Sequence, residues 1–157
     1  MKKTISLALT LILLACTFFC VPVGASTNDG NTVVSVEYLE NGDYIETIIV
    51  TENSGVSTYA STKTGVKTAN YKNSAGTILW SVTIKGTFSY NGSTAICTSC
   101  SHSTTAPSPY WYIKSSSSSK SGATATAYAT AHYSDNSGSF DKSMSISVTC
   151  SKFGVIS

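Results

Sequence analysis

Apolar and polar residues alternate with a period of two along much of the chain. Between Trp80 and Tyr90 the even positions are Trp, Val, Ile, Gly, Phe and Tyr, whereas the odd positions are polar. Residues 123–133 alternate as strictly, with alanine at almost every odd position. Four later residues share one parity: Met144, Ile146, Val148 and Cys150. Because successive side chains of a strand point to opposite faces, this pattern predicts half-buried β-strands.

Short turn sequences separate the predicted strands. They are Asn41-Gly42, residues 73–76, Asn91-Gly92 and residues 135–138. The first joins two β-rich runs, 33–39 and 44–50, into a predicted hairpin. The second pairs residues 66–71 with the strand at 78–90, and Asn91-Gly92 leads into a strand at 94–101. Gly86, in the middle of its strand, indicates a bulge or a close approach by neighbouring backbone.

Six or seven such strands with few helix signals predict an all-β protein. The expected fold is an antiparallel β-sandwich, immunoglobulin-like in general architecture, preceded by a signal peptide. The serine run at residues 115–119 is predicted to be a loop within it.

The chain is predicted to have three parts: a signal peptide at residues 1–25, an acidic N-terminal segment with a β-hairpin and linker at residues 26–62, and the β-sandwich domain at residues 63–157. Met1-Lys2-Lys3, an apolar run and small residues before Ser26 are typical of a secretory signal peptide. The linker is placed at residues 51–64, which are rich in Ser, Thr and Gly. We therefore expect a secreted, extracellular protein without a membrane span in its mature chain. The alternative is a lipid anchor at Cys16.

Charge argues against one class of partner. The chain has no arginine, and residues 26–157 carry eight lysines and eight acidic residues. Nucleic-acid affinity comes from clustered Lys and Arg, so no nucleic acid is expected as a partner. Six of the acidic residues lie in 26–62, which has no lysine. We interpret this as a solvated acidic segment beside a mildly basic domain, with attraction between the two parts as the alternative.

Three cysteines follow the predicted signal peptide, an odd number for an exported protein. Cys150 shares the inward parity of its strand, and parity within the 94–101 strand selects Cys100 as its disulfide partner. A bridge between Cys97 and Cys100 is disfavoured, because residues three steps apart in an extended strand lie about 10 Å apart. A bridge to Cys150 closes a loop of about 50 residues and would stabilise the fold by about 4 kcal/mol.

The same residues allow a metal hypothesis. Cys97, Cys100 and His102 offer two thiols and an imidazole, with His132 or Cys150 as a fourth ligand. In an oxidising compartment a disulfide is the better use of these thiols. We therefore predict no metal and no other cofactor.

Catalytic and membrane-active alternatives rest on few residues. Candidates for hydrolysis are His102, His132, Asp135 and Asp141, but no serine lies in a nucleophile-elbow pattern. We therefore assign no catalytic residue and predict that the protein is not an enzyme. The Ala/Thr strand at 123–133 beside the serine run suggests a pore-forming hairpin as an alternative. Alanine is a poor lipid-facing residue, so a tightly packed small-residue face is the simpler interpretation.

Residues 71–92, YKNSAGTILWSVTIKGTFSYNG, resemble a family of small exported proteins of Gram-positive bacteria known only as a domain of unknown function. The resemblance extends upstream through residues 38–47 and downstream through four features: Cys97, Trp111, residues 120–122 with the following Ala/Thr strand, and residues 148–150. It implies an extracellular compartment and no known activity. It also implies a disulfide between Cys97 and Cys150, which would leave Cys100 as the extra cysteine.

Three aromatic residues, Tyr110, Trp111 and Tyr112, stand together after two prolines. If Trp111 and Ile113 share one strand face, the two tyrosines share the other. We predict Trp111 in the core and treat Tyr110 and Tyr112 as candidate surface contacts. The leading hypothesis is a non-enzymatic extracellular or cell-surface interaction module that binds a cell-envelope or host glycan or protein. The alternative is a secreted antagonistic or pore-forming protein, and the third hypothesis is an extracellular hydrolase.

Overall fold

Eight antiparallel β-strands form the fold. The computed structural model describes residues 31–56 and 61–157, so the predicted signal peptide and Cys16 lie outside the described residues. The strands are β1 (Asn31–Tyr38), β2 (Tyr44–Val56), β3 (Ser61–Lys72), β4 (Ile78–Tyr90), β5 (Ala95–Thr105), β6 (Trp111–Ser121), β7 (Thr124–Asp135) and β8 (Gly138–Thr149). No helix occurs in the described part of the chain. The all-β prediction is confirmed.

The strands form two sheets in sequence order. One sheet has the order β1-β2-β3-β4-β5 and the other β6-β7-β8, with every pair antiparallel. β4 packs on β7 and β8, β3 packs on β8, and β5 packs on β6 and β7. The two sheets are therefore layers over one core, as a sandwich requires. Neither sheet has the crossed strand order of a Greek key, so any likeness to immunoglobulin domains is limited to the layers.

The core lies between the inner faces of the two sheets. From β4 it takes four fully buried side chains: Trp80, Val82, Ile84 and Phe88. From β7 it takes a row of alanines: Ala125, Ala127, Ala129 and Ala131. These match the parities predicted from the alternating pattern, and the small β7 residues allow the two sheets to approach closely.

Gly86 of β4 lies in a closely packed part of the core. A β-carbon on Gly86 would be 2.7 Å from Cζ of Phe88 and 3.1 Å from Cβ of Ala125. The close neighbours are side chains and not backbone as predicted, and only a residue without a β-carbon leaves room for the Phe88 ring. A β-bulge also occurs next to it, between Thr87 and Phe88 in the pairing with β5.

The N-terminal hairpin is part of the larger sheet. β1 and β2 pair as predicted, and Gly42 in their turn has a φ of 84°. Across β2 and β3, Lys72 Nζ lies 2.6 Å from Glu46 Oε2, and both side chains are mostly buried. Opposite charges thus meet at this point of the pairing, whereas Glu37 and Glu40 of the same acidic segment are exposed.

Two predicted loops are strands instead. Residues 51–56 extend β2 and residues 61–64 begin β3, while residues 57–60 of the predicted linker lie outside the described residues. Residues 115–119 lie in the middle of β6. The predictions were wrong because Ser and Thr can occupy a strand whose ladder supplies the backbone hydrogen bonds. The division of the chain at residue 62 stays a prediction, although it falls within β3.

Candidate functional site

The outer face of the three-stranded sheet is covered by hydroxyl groups. We call it the hydroxyl face, and from the strand register its members are Tyr112, Ser115, Ser117 and Ser119 of β6, Thr124, Thr126, Tyr128, Thr130 and His132 of β7, and Asp141, Ser143, Ser145, Ser147 and Thr149 of β8. These residues alternate with the buried ones, since each follows or precedes an inward-facing residue. The alternation that builds the core therefore also builds this face.

Hydroxyl groups on neighbouring strands pair with each other across this face. Thr126 and Ser147 share a hydrogen bond of 2.8 Å, as do Thr130 and Ser143. Each hydroxyl has one donor and two acceptor sites, so one such bond leaves further capacity on both oxygens. The pairs hold the side chains in fixed positions. A ligand rich in hydroxyl groups could therefore bind a pre-ordered array.

Two tyrosines stand on the hydroxyl face. Tyr112 is 54% exposed and Tyr128 is 52% exposed, so each offers one side of its ring to a ligand. Beside Tyr128 is a shallow depression of about 460 Å³ that extends across all three strands, from Ser117 through Thr130 to Ser143. Tyrosine supplies a rigid, amphipathic contact surface at low entropic cost. The arrangement suits a flat ligand with both apolar faces and hydroxyl groups.

The charges at one end of the face neutralise each other. Asp141 accepts hydrogen bonds from Lys114 Nζ at 2.6 Å and from His132 Nδ1 at 2.5 Å. These two bonds, the one from Lys114 first, hold the pKa of the Asp141 carboxyl below its usual range. The His132 ring also packs at 5.1 Å from the Tyr112 ring. The cluster orients Tyr112 without giving the face a strong net charge.

Tyr110 lies elsewhere. Its ring packs 6.3 Å from the Tyr133 ring, and Tyr133 in turn packs 5.3 Å from Trp111 on the core side of β7. Tyr110 also lines a separate, polar depression at the β7–β8 turn, with Asp135 and Ser137. Trp111 is only 6% exposed, so its predicted place in the core is confirmed. The structure therefore separates the two tyrosines that the sequence groups together.

The hydrolytic candidates lie in three separate places. His132 contacts Asp141, but its ring forms no hydrogen bond to a hydroxyl group within the described residues. His102 lies between the sheets, where its ring nitrogens are 2.9 Å from Ser118 Oγ and 3.2 Å from Ser116 Oγ. Asp135 accepts a hydrogen bond from Tyr133 Oη at 2.5 Å. No arrangement of serine, histidine and carboxylate forms among them.

The β5 bulge changes the geometry of the cysteines. Cys97 pairs with Phe88 and Cys100 pairs with Gly86, so Thr98 is the extra residue and both cysteines face inward. Because Phe88 and Gly86 are two residues apart, we expect the two cysteine Cα atoms to be about 7 Å apart. The predicted separation of about 10 Å assumed a strand without this bulge.

Cys97 and Cys150 converge on consecutive residues. The Cys97 N–H donates to Gly122 O at 2.7 Å, and the Cys150 N–H donates to Ala123 O at 3.0 Å. Both thiols are buried, and burial raises the pKa of each. All three thiols are free in the structure. The predicted disulfide therefore stays a prediction, whichever pairing is considered.

The described residues contain no group of three or more His, Cys, Asp and Glu side chains placed to hold a metal ion. Nor do they form a helix that is long and apolar enough to cross a membrane.

Comparison with protein families, with curated proteins and with solved structures finds no match to this chain. The likeness to a family of exported proteins therefore stays a prediction.

Sequence reasoning missed Tyr128 as a surface residue. Its signal was present, because Tyr128 stands at the outward parity of a strand with alanine at the four inward positions from 125 to 131. A large aromatic side chain at an outward position of a strand made mostly of alanine and threonine indicates a candidate surface contact.

Proposed function

We propose that the protein is an exported, non-enzymatic interaction module that binds glycans on a cell surface through its hydroxyl face. The observation that carries this proposal is the pair of half-exposed tyrosines set among rows of mutually bonded Ser and Thr hydroxyls. Sugars offer hydroxyl groups and apolar C–H faces, which these two kinds of side chain complement. The internally balanced charge of the face favours a neutral glycan over an acidic one.

A glycan array probed with residues 26–157 tests this function. The variant Tyr112→Ala with Tyr128→Ala should lose at least about tenfold in apparent affinity, since Tyr contacts at interface centres are worth about 2 kcal/mol or more. Tyr110→Ala is the matched control, because Tyr110 is equally exposed, at 55%, but lies off the hydroxyl face. Equal losses in both variants, or no bound glycan, would contradict the proposal.

The burial of β7 supports the interaction module over the pore-forming alternative. Ala125, Ala127 and Ala131 are fully buried, and β7 is the central strand of its sheet. Turning these alanines toward lipid would require the core to open. Dye release from liposomes by the purified protein would support the alternative, whereas the interaction module should release none.

Export, the family likeness and the disulfide belong to the same proposal. A signal peptide at residues 1–25 would deliver the protein from a Gram-positive cell to an oxidising exterior. There we propose that Cys97 and Cys150 form a disulfide, as the family likeness implies. Their convergence on Gly122 and Ala123 supports this pairing.

A further inference from the structure

The larger sheet extends past the smaller one on one side. Within the described residues, no Cα atom of β1 or β2 comes within 8 Å of a Cα atom in β6, β7 or β8. The inner face of the β1–β2 hairpin is therefore not covered by a strand of the second sheet. A fourth strand beside β8 would cover it.

β8 offers an unpaired edge on that side. In an antiparallel ladder, alternate residues direct their N–H and C=O groups to opposite sides. Cys150 N–H points to β7, whereas Thr149 N–H points away from it and donates to Ser157 O at 2.8 Å. The register with β7 is unbroken from Thr149 back to Gly138. Ser147, Ser145 and Ser143 therefore direct their backbone groups to the same open side as Thr149.

The C-terminal residues already begin such a strand. Ser157 N–H donates back to Thr149 O at 3.0 Å, and Ile156 forms a bridge with Cys150. The Ile156 side chain packs over Gly65 of β3, where an added β-carbon would be 2.7 Å from it. The chain thus shows which partner this edge accepts, namely an antiparallel strand with an apolar side chain turned inward. Further along the same edge, beside Ser147, Ser145 and Ser143, no strand of the described residues pairs with β8 in this way.

A cavity marks the open part. It measures about 270 Å³ and lies between β8, at Ser143–Ile146, and the inner residues Ile45, Thr47 and Ala69. Glu37 forms one wall, and among the described residues its carboxylate makes no ion pair or side-chain hydrogen bond. The site therefore combines an unpaired strand edge, a floor formed by Ile45, Thr47 and Ala69, and one negative charge.

We propose that this cavity accepts an extended peptide strand from a partner protein, paired antiparallel with β8 from Ser147 to Ser143. Residues opposite Met144 and Ile146 would point inward, because opposite residues of a strand pair share a face. These two positions would take small or β-branched side chains against Ala69 and Thr47, and a lysine or arginine nearby would meet Glu37. Backbone pairing would give affinity and the inward positions specificity, as in other cases of strand addition.

A second copy of this chain is a poorer occupant. Its β5 edge is closed by β6, where Lys120 donates to Thr98 O and His102 contacts two serines. Its β1 edge carries Glu37 itself, so self-docking would bring carboxylates together. This site shares Ser143 and Ser145 with the hydroxyl face, but the peptide would pair with their backbone groups, whereas the proposed glycan contacts centre on Tyr112 and Tyr128. Either proposal can therefore fail without the other.

A phage-displayed random peptide library panned on residues 26–157 tests the proposal. Enriched peptides should show two inward positions spaced by two and a fixed lysine or arginine. Ser145→Pro should reduce their affinity at least about tenfold, because it removes an edge donor and blocks pairing. Ser145→Ala keeps the amide and should retain binding. Glu37→Gln should weaken binding about threefold.

Three outcomes would overturn the proposal: no enriched peptide, peptides that bind Ser145→Pro as well as the parent, or a dimer that dissociates in Ser145→Pro. The last would assign the edge to a second copy. If Ser145→Pro fails to fold, amide hydrogen exchange on the parent decides instead. Peptide binding should then slow exchange at Ser143, Ser145 and Ser147 and leave the β5 amides unchanged. Tyr112→Ala with Tyr128→Ala should leave peptide binding intact.

Discussion

Tyr71 connects the core to the first turn of the chain. Its ring is 2% exposed and packs against Trp80 and Trp111, while its hydroxyl donates to Asp43 Oδ2 at 2.5 Å. Burial first, and this bond second, raise the pKa of Tyr71 to about 12. The neutral phenol is thus favoured by folding. Its contribution to stability is fully present below the unfolded pKa of about 10 and is lost as pH rises through about 12.

An ultraviolet titration of tyrosinate absorbance measures this directly. Of the nine tyrosines, one should ionise near pH 12 in a step that Tyr71→Phe removes. Tyr112→Phe is the control, because Tyr112 is half exposed and should leave that step in place. An unchanged late step in Tyr71→Phe would show that another tyrosine carries it.

Gly86 leaves room for the ring of Phe88, which lies two residues further along the same strand. Gly86→Ala should lower the free energy of unfolding by about 1–3 kcal/mol, because its methyl group would press on the Phe88 ring. Denaturant unfolding measures this cost. Phe88→Leu alone should also destabilise, but the double variant should be more stable than the sum of the single changes predicts. If the two changes in unfolding free energy are simply additive, the added methyl group does not clash with the Phe88 ring.

Strand β6 shows at the scale of an element how neighbouring residues divide between core and surface. Trp111 packs 5.4 Å from Tyr71 and 6.4 Å from Trp80, so it connects the two sheets, whereas Tyr112 faces outward. Trp111→Ala should cost about 3–5 kcal/mol in unfolding free energy, and Tyr112→Ala about 0.5 kcal/mol or less. Thermal or denaturant unfolding of these two variants compares how much the inner and outer faces of β6 contribute to stability. Similar costs would contradict the assigned strand parity.

Alternation predicted most strands and their faces, but it could not predict the bulges. One extra residue, Thr98 in β5, leaves no trace in composition, yet it turns both Cys97 and Cys100 inward. A second bulge, between Ile113 and Ser115, turns Ser116 and Ser118 toward His102. The serine run therefore makes polar contacts between β6 and β5. These contacts could not be predicted, because a run of serines contains no alternation of apolar and polar residues.

At the scale of the whole molecule, alternation tells which face of a strand is buried but not which sheet the strand joins. The change of sheet falls at residues 106–110, between β5 and β6. Pro107 and Pro109 lack an amide donor, so this segment cannot continue a ladder. The chain then crosses to the second layer with three strands left. The resulting five-to-three division is what leaves both the hydroxyl face and the β8 edge available.

The disulfide depends on how the two sheets meet, since Cys97 and Cys150 come from different sheets. If they are joined when residues 26–157 fold under oxidising conditions, the denatured but unreduced protein should contain one reactive thiol, and peptide mapping should link these two residues. Reduction should then lower the unfolding free energy by about 4 kcal/mol, the expected effect of closing a loop of about 50 residues. Cys100→Ser should keep the bridge and abolish the remaining thiol reactivity. Linkage of Cys97 to Cys100 would instead close a loop of only a few residues and would have far less effect on stability. Three reactive thiols would mean that no bridge forms.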